Sequence, residues 1–349
     1  MKLGLIGLPQ SGKSTVFKAL TGARGDNDEI KSSHGDPRIA AITVKDERVD
    51  FLSDFFKPKK TTYAKVEYLL PSPSHSSASL DKAEVGIWNQ IRTCDAILHV
   101  VRNFQTPGGP PASSEKDFWK VEGDMIINDL VVIERKLERI ELDRKRGKKP
   151  DAEENDLIRA CRDILEKDEP LRKLPEIATN PLLKGYTFLS AKPMLVIINN
   201  GDEDEEIPKW NKIPYNTDLM AIRARLDMEI ASMPEEDAKE FLEAYNIKES
   251  VLDRVIKSSY SLLNKVSFFT VGPDEVRAWP ISSGTPAQEA AGTVHSDMQK
   301  GFIRAEVLSY DDFKAYGTFQ EAKKAGRLRL EGKEYQVKDG DIIEFRFNV

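Results

Sequence analysis

The stretch Leu3-Gly4-Leu5-Ile6-Gly7-Leu8-Pro9-Gln10-Ser11-Gly12-Lys13-Ser14-Thr15-Val16-Phe17 decides how this chain folds. The short apolar run at its start reads as a buried strand, and Val16-Phe17-Lys18-Ala19-Leu20 has the spacing of a helix. Between them lies G-x-x-x-x-G-K-S, a P-loop: glycines allow a tight turn whose backbone N–H groups face a phosphate at the positive end of the helix. On this reading Pro9, Gln10, Ser11, Gly12, Lys13, Ser14 and Thr15 line a phosphate site. Lys13 reaches the outer phosphates as a point charge, and the Ser14 hydroxyl is placed to hold Mg²⁺.

The rest of the chain bounds what such a loop serves. With 349 residues there is room for two or three domains with real cores. Lys and Arg number 52 against 58 Asp and Glu, a net charge of −6, so any contact with RNA needs a local basic patch rather than global charge. Cys94 and Cys161 stand in no metal or disulfide spacing, as expected of a reducing cytosol, and Cys161 falls on an apolar helical position. No run approaches the roughly 18 apolar residues of a membrane span, and the N-terminus lacks a signal-peptide pattern. The expected location is therefore the cytoplasm, with no membrane partner.

Strands and helices then alternate. Ile39 to Val44, Ala64 to Leu70, Ala96 to Val101 and Met194 to Ile198 read as strands, with helical spacing over Arg48 to Phe56 and Val85 to Arg92. His99, inside the third of these strands, reads as a core residue rather than a ligand. Polar loops occupy Arg24 to Pro37 and the stretch from Pro71 to Lys82. Ile126, Leu130, Ile133, Leu137 and Ile140 recur at spacings of four and three, and Leu157, Cys161 and Ile164 repeat the pattern after the basic break Arg144-Lys145-Arg146-Gly147-Lys148-Lys149. That predicts an antiparallel helical hairpin with a coiled-coil-like seam and a basic tip. Helical material is expected over Glu235 to Leu263, and the end of the chain is β-rich, closing on a hairpin signature at Lys338-Asp339-Gly340-Asp341. The fold class is α/β: a doubly wound P-loop NTPase domain (1–115 and 185–265), an inserted hairpin (116–184) and a C-terminal domain (266–349).

Several stretches together resemble the Obg-like ATPase (YchF) family of translation-factor-related P-loop NTPases. They are the P-loop itself, Cys94-Asp95-Ala96-Ile97-Leu98-His99-Val100-Val101-Arg102, Phe268-Phe269-Thr270, Glu275-Val276-Arg277-Ala278-Trp279, His295-Ser296-Asp297, Lys300 to Val307 and Asp339-Gly340-Asp341-Ile342-Ile343. The resemblance covers nearly the whole chain. It implies that the C-terminal domain is a ubiquitin-like (β-grasp) TGS domain. It also implies association with RNA or ribosomes through that domain, and the charge of the basic hairpin tip makes it a second candidate contact with RNA.

The chain departs from the family where the metal and the γ-phosphate are read. Alignment puts Leu70 at the Asp and Pro73 at the Gly of the Asp-x-x-Gly motif. Leucine cannot bind Mg²⁺ and proline has no N–H to give. His34 occupies the place of the first-switch Thr, with Ser32 and Ser33 out of register. The expectation is GTP or ATP bound at a weakened Mg²⁺ site, with slow or lost hydrolysis. One alternative is an active Mg²⁺-dependent NTPase in which Glu67, His34 or His75 replaces the lost Asp; another is a nucleotide-independent scaffold. Base recognition admits two registers, Asn199 with Asp202 (the guanine-type carboxylate, without its Lys) or Asn200 with Glu203, and the first is preferred. The later base-contacting loop, Ser-Ala-x in many such proteins, is Arg223-Ala224-Arg225.

Overall fold

The computed structural model describes residues 1–22, 36–72, 80–106, 108–234, 236–237, 240–241 and 250–348. His34, Ser32, Ser33, Pro73 and His75 lie outside the described residues, as do most of the two polar loops and much of the expected helical stretch after residue 235. The chain divides into two units, 1–42 with 67–255 and 43–66 with 256–349.

The first unit is built on a six-stranded sheet. Its strands are β1 (Lys2–Ile6), β2 (Arg38–Thr43), β4 (Lys65–Leu70), β5 (Ala96–Asn103), β6 (Met194–Asn200) and β7 (Thr217–Ile222), in the order β2-β4-β1-β5-β6-β7. β4, β1, β5, β6 and β7 are parallel neighbours. All seven residues of β6 are buried, as a strand covered on both faces requires, and the run extends through Asn199 and Asn200. Helices α1 (Lys13–Gly22) and α3 (Leu80–Arg92) follow the first and third of these strands in the chain. β7 was not visible in the sequence: Thr217-Asp218-Leu219-Met220 neither alternates nor forms an apolar run, and its place at the sheet edge accounts for that.

Helix α4 (Ser114–Lys145) is one continuous element of 32 residues, about 48 Å at 1.5 Å per residue. Near its start Phe118, Val121 and Met125 pack on strand residues Ile97, Val101, Val196 and Ile198. Farther along, Ile126, Ile133 and Leu137 pack with Ile158, Cys161 and Leu165 of α5 (Ala152–Leu165). The 2.8 Å Lys136–Glu154 pair fixes the antiparallel register of this hairpin, and Arg144 to Lys149 at its tip are exposed. Two buried ionic knots hold the root. Arg172, in the segment after α5, grips Glu122 through both carboxylate oxygens at 2.5 and 3.3 Å. Asp129, fully buried, accepts from Arg92 Nη1, Leu189 N and Ser190 N at 3.1, 3.0 and 2.7 Å. Removing one member of such a pair costs about 3–5 kcal/mol, because the other is left charged and dry.

The second unit has a sheet of β3 (Lys60–Thr62), β8 (Lys265–Val271), β9 (Glu275–Ser282), β10 (Phe302–Ser309), β11 (Arg329–Glu331) and β12 (Asp341–Phe347), ordered β11-β10-β12-β8-β9-β3. The buried alanines Ala287, Ala290 and Ala291 of one helix (Ala287–Val294) let it lie close against Phe268, Val307, Ile343 and Phe345, the β-grasp arrangement of sheet on helix.

Two readings are corrected here. The Asp339-Gly340 turn does not close a hairpin, because β12 pairs antiparallel with β10 and parallel with β8, while β11 lies beyond β10. Residues 43–66, placed by sequence in the NTPase domain, pack as part of the second unit. There β3 adds a parallel strand to the edge of β9. Helix α2 (Glu47–Phe56) sets Arg48 over the Phe269 ring and 2.6 Å from Asp339, with Phe56 stacked on Phe313. Three residues, Lys60-Thr61-Thr62, carry too little pattern to announce a strand.

Candidate nucleotide site

β1 ends at Ile6 and the chain turns at Gly7, whose φ is +145° and where a Cβ would sit 2.2 Å from the Val100 carbonyl oxygen. Gln10 (φ 62°) and Gly12 (φ 95°) complete the left-handed turn that brings the chain into α1. At Gly12 a Cβ would fall 2.2 Å from Asn199 Nδ2, so glycine is required twice over. The loop therefore curves round the N-terminus of α1, where the first-turn amides have no intrahelical acceptors.

Lys13 Nζ donates to two carbonyls of this loop, Gly7 O at 2.8 Å and Leu8 O at 2.7 Å. Burial pushes its pKa down to about 8 by desolvating the charged amine. Ser11 is 2% exposed and its hydroxyl has no hydrogen-bond partner among the described residues. Pro9, Gln10 and Ser14 are exposed, and Thr15 is half-buried. A cation, an exposed helix-start hydroxyl and an orphaned hydroxyl inside one loop are the complement of an oxyanion that is not part of the chain.

Asn199, at the end of β6, braces the loop from behind. Its Nδ2 donates to Ser11 O at 3.1 Å and its Oδ1 accepts from Ala224 N at 3.2 Å. Asn200 faces elsewhere: its amide is spent on Asp204 O and Glu206 O, and its oxygen accepts from Asn103. It is 3% exposed and has no donor left for a base, which sets aside the register that paired it with Glu203. Asp202 is exposed on the loop that follows. Phe104, just past β5, lies 4.0 Å from the Cβ positions of both Gly12 and Gly201, between the two loops; one aromatic after a strand gave the sequence no signal for it. Arg223 reaches across to Glu205 at 2.6 Å. Beside it Asp227, accepting from Arg223 N, is raised by burial to about 6.

The metal side of the site is different. Ser14 offers one hydroxyl, but Leu70 at the end of β4 is an apolar residue with 6% of its surface exposed, and Ser72 is clamped to Gln90 by two hydrogen bonds of 3.1 and 3.0 Å. Glu67 pairs with Lys2 at the far end of the ladder, three residues and about 10 Å from Leu70, so it does not substitute for the lost carboxylate. Among the described residues no group of three or more His, Cys, Asp or Glu could hold a metal ion. Ser14 is thus the hydroxyl at the start of α1 that could join phosphate and water oxygens around Mg²⁺, and Leu70 adds no carboxylate beside it. His99 is buried with its ring stacked on Phe118; burial drops its pKa to about 3 and its Nδ1 has no partner among the described residues, so it is a core residue that favours the neutral form.

Comparison with known proteins follows this geometry. The ribosome-binding ATPase YchF of Bacillus subtilis is 35% identical over 364 residues, spanning 99% of this chain and 99% of that protein. This chain belongs to the YchF family. YchF of Escherichia coli O157:H7, also named a ribosome-binding ATPase, is 35% identical over 363 residues, covering 100% of this chain and 99% of its own. The YchF-GTPase C-terminal family model, described as a protein of unknown function (DUF933), matches residues 266–348. Among solved structures, the Schizosaccharomyces pombe YchF GTPase superposes with a TM-score of 0.84 at 27% identity, covering 99% of this chain and 97% of that one. The YchF fold, an NTPase domain with a helical insertion and a C-terminal domain, is thus the fold of this chain. No helix among the described residues is long and apolar enough to cross a membrane.

Proposed function

We propose that this YchF-family protein binds a purine nucleoside triphosphate, GTP or ATP, in the P-loop, acts at the ribosome or on RNA in the cytoplasm, and hydrolyses its nucleotide slowly or not at all. The observation that carries the reading is the Lys13 amine, half-desolvated and folded onto Gly7 O and Leu8 O in a loop braced by Asn199. A triphosphate replaces those two neutral acceptors with charged ones, which are roughly twice as strong. Phe104 offers an apolar face to the base and Asp202 a carboxylate to its N–H edge. Mg²⁺, where it binds, is held through Ser14 and the nucleotide's own phosphates.

The family's ribosome-binding names support the ribosomal role, with the exposed basic tip Arg144 to Lys149 and the C-terminal TGS unit as the contacting parts. The same names include ATPase, which favours measuring turnover as a second reading. Titration calorimetry with non-hydrolysable GTP and ATP analogues tests the first reading: micromolar binding that disappears in Lys13→Ala supports it, and affinity that survives that change sinks it. Multiple-turnover phosphate release, lost in the same variant, would establish the second.

A further inference from the structure

β5 and β6 end side by side on a pair of asparagines. Asn103 and Asn200 are partners on the last rung of the parallel ladder, and Asn103 Nδ2 donates to Asn200 Oδ1 at 2.8 Å. Both hydrogens of the Asn200 amide then reach forward into the following loop, to Asp204 O at 3.1 Å and Glu206 O at 2.8 Å. That loop carries Asp202, Glu203, Asp204, Glu205 and Glu206, five carboxylates in succession. Like charges so close favour an open, many-conformer loop. Asn200 opposes that spread, helped by the Asp204 N to Gly201 O turn at 3.2 Å and by the Arg223–Glu205 pair at 2.6 Å. The two neighbouring asparagines therefore divide the work: Asn199 braces the phosphate loop and Asn200 braces the acidic one.

We propose that Asn103 and Asn200 form a positioning pair for purine recognition, fixing loop 201–206 so that Asp202 stands ready for the N–H donors of the base while neither asparagine touches the nucleotide. This rests on the nucleotide reading above. Its physical content is a population argument. When the loop is released, the binding-competent form becomes a fraction of the ensemble, and apparent affinity for the base falls by that fraction. The triphosphate, held by the P-loop and Asn199, is indifferent to it. Loss of the pair therefore weakens nucleotide and leaves inorganic tripolyphosphate alone, which a general folding defect does not do.

The test is calorimetric titration of the full chain with a non-hydrolysable GTP analogue, a non-hydrolysable ATP analogue and inorganic tripolyphosphate. Asn200→Ala is expected to weaken the better-bound nucleotide by about tenfold, the worth of one to two buried hydrogen bonds, with tripolyphosphate within about twofold of the unmodified chain. Asn103→Ala, which removes one of the three bonds, gives a smaller loss of the same pattern and carries the test if Asn200→Ala does not fold. Unchanged nucleotide affinity in both variants overturns the proposal, and so does an equal loss for tripolyphosphate. If the unmodified chain binds none of the three ligands, the nucleotide reading itself fails and this inference falls with it.

Discussion

Two neighbouring strand ends in the first unit meet the same site with opposite chemistry. The end of β1 runs into a loop held by special backbone angles at Gly7, Gln10 and Gly12, filled by the Lys13 amine and tied to Asn199. The end of β4, one strand over, presents buried Leu69 and Leu70 and then a Ser72 fastened to Gln90. The first is built to receive an oxyanion. The second, among the described residues, presents apolar side chains and a serine already bonded rather than a carboxylate for a metal. Holding a nucleotide and turning it over are separable jobs, because one depends on fixed dipoles and a cation, the other on charge stabilisation that strengthens in the transition state.

The comparison breaks first at Lys13. Lys13→Ala removes the only cation placed in the loop, and nucleotide affinity measured by calorimetry should fall at least about a hundredfold, the worth of a charge-assisted contact or two. Gly12→Ala puts a methyl 2.2 Å from Asn199 Nδ2 at a φ of 95°, so the loop must shift. A loss of about tenfold in affinity, together with about 1–3 kcal/mol of stability in urea unfolding, is expected.

Proton linkage sharpens the same end of the site. Burial lowers the pKa of the free amine to about 8, and bound phosphate raises that value. Affinity is then flat below pH 8 and falls by up to about tenfold per unit above it, with proton uptake visible as a buffer-dependent heat. The sign is that of a cation stabilised by its ligand: binding strength present at low pH is lost as the free amine deprotonates. A profile flat to pH 10 would mean that Lys13 does not meet the phosphates.

The smallest effect belongs to the other strand. Leu70→Asp restores a carboxylate at the end of β4, and Mg²⁺ should then tighten nucleotide several-fold, where the unmodified chain gains no more than about twofold. Burial of that position means the variant is also less stable.

How much of this was written plainly in the sequence follows from how local each signal is. The P-loop is an eight-residue pattern between a strand and a helix, and β5 and β6 are continuous apolar runs, so both were readable. So was the α4–α5 hairpin, from its alternating spacings of four and three. β3 and the placement of α2 depend on pairing across more than two hundred residues, Lys60 with Glu275 and Arg48 with Asp339, and no window of sequence contains that information. The hairpin expected at Asp339-Gly340 failed for a related reason: turn chemistry marks a reversal of the chain, not which strand lies beside it. In the site, the residue types of Asn199 and Asn200 left two registers open. Side-chain direction separates them, and it is set by the strand's alternation once β6 runs to residue 200. Phe104, and the pairing of Arg223 with Glu205, emerge only when the loops they belong to are brought together.

The most direct test of the central claim is a titration of the purified chain with non-hydrolysable GTP and ATP analogues, each in Mg²⁺ and in EDTA. The account predicts micromolar binding of at least one nucleotide, changed by no more than about twofold when the metal is removed, since the P-loop holds the phosphates and the end of β4 adds nothing. Binding that collapses in EDTA would show a complete metal site and contradict it.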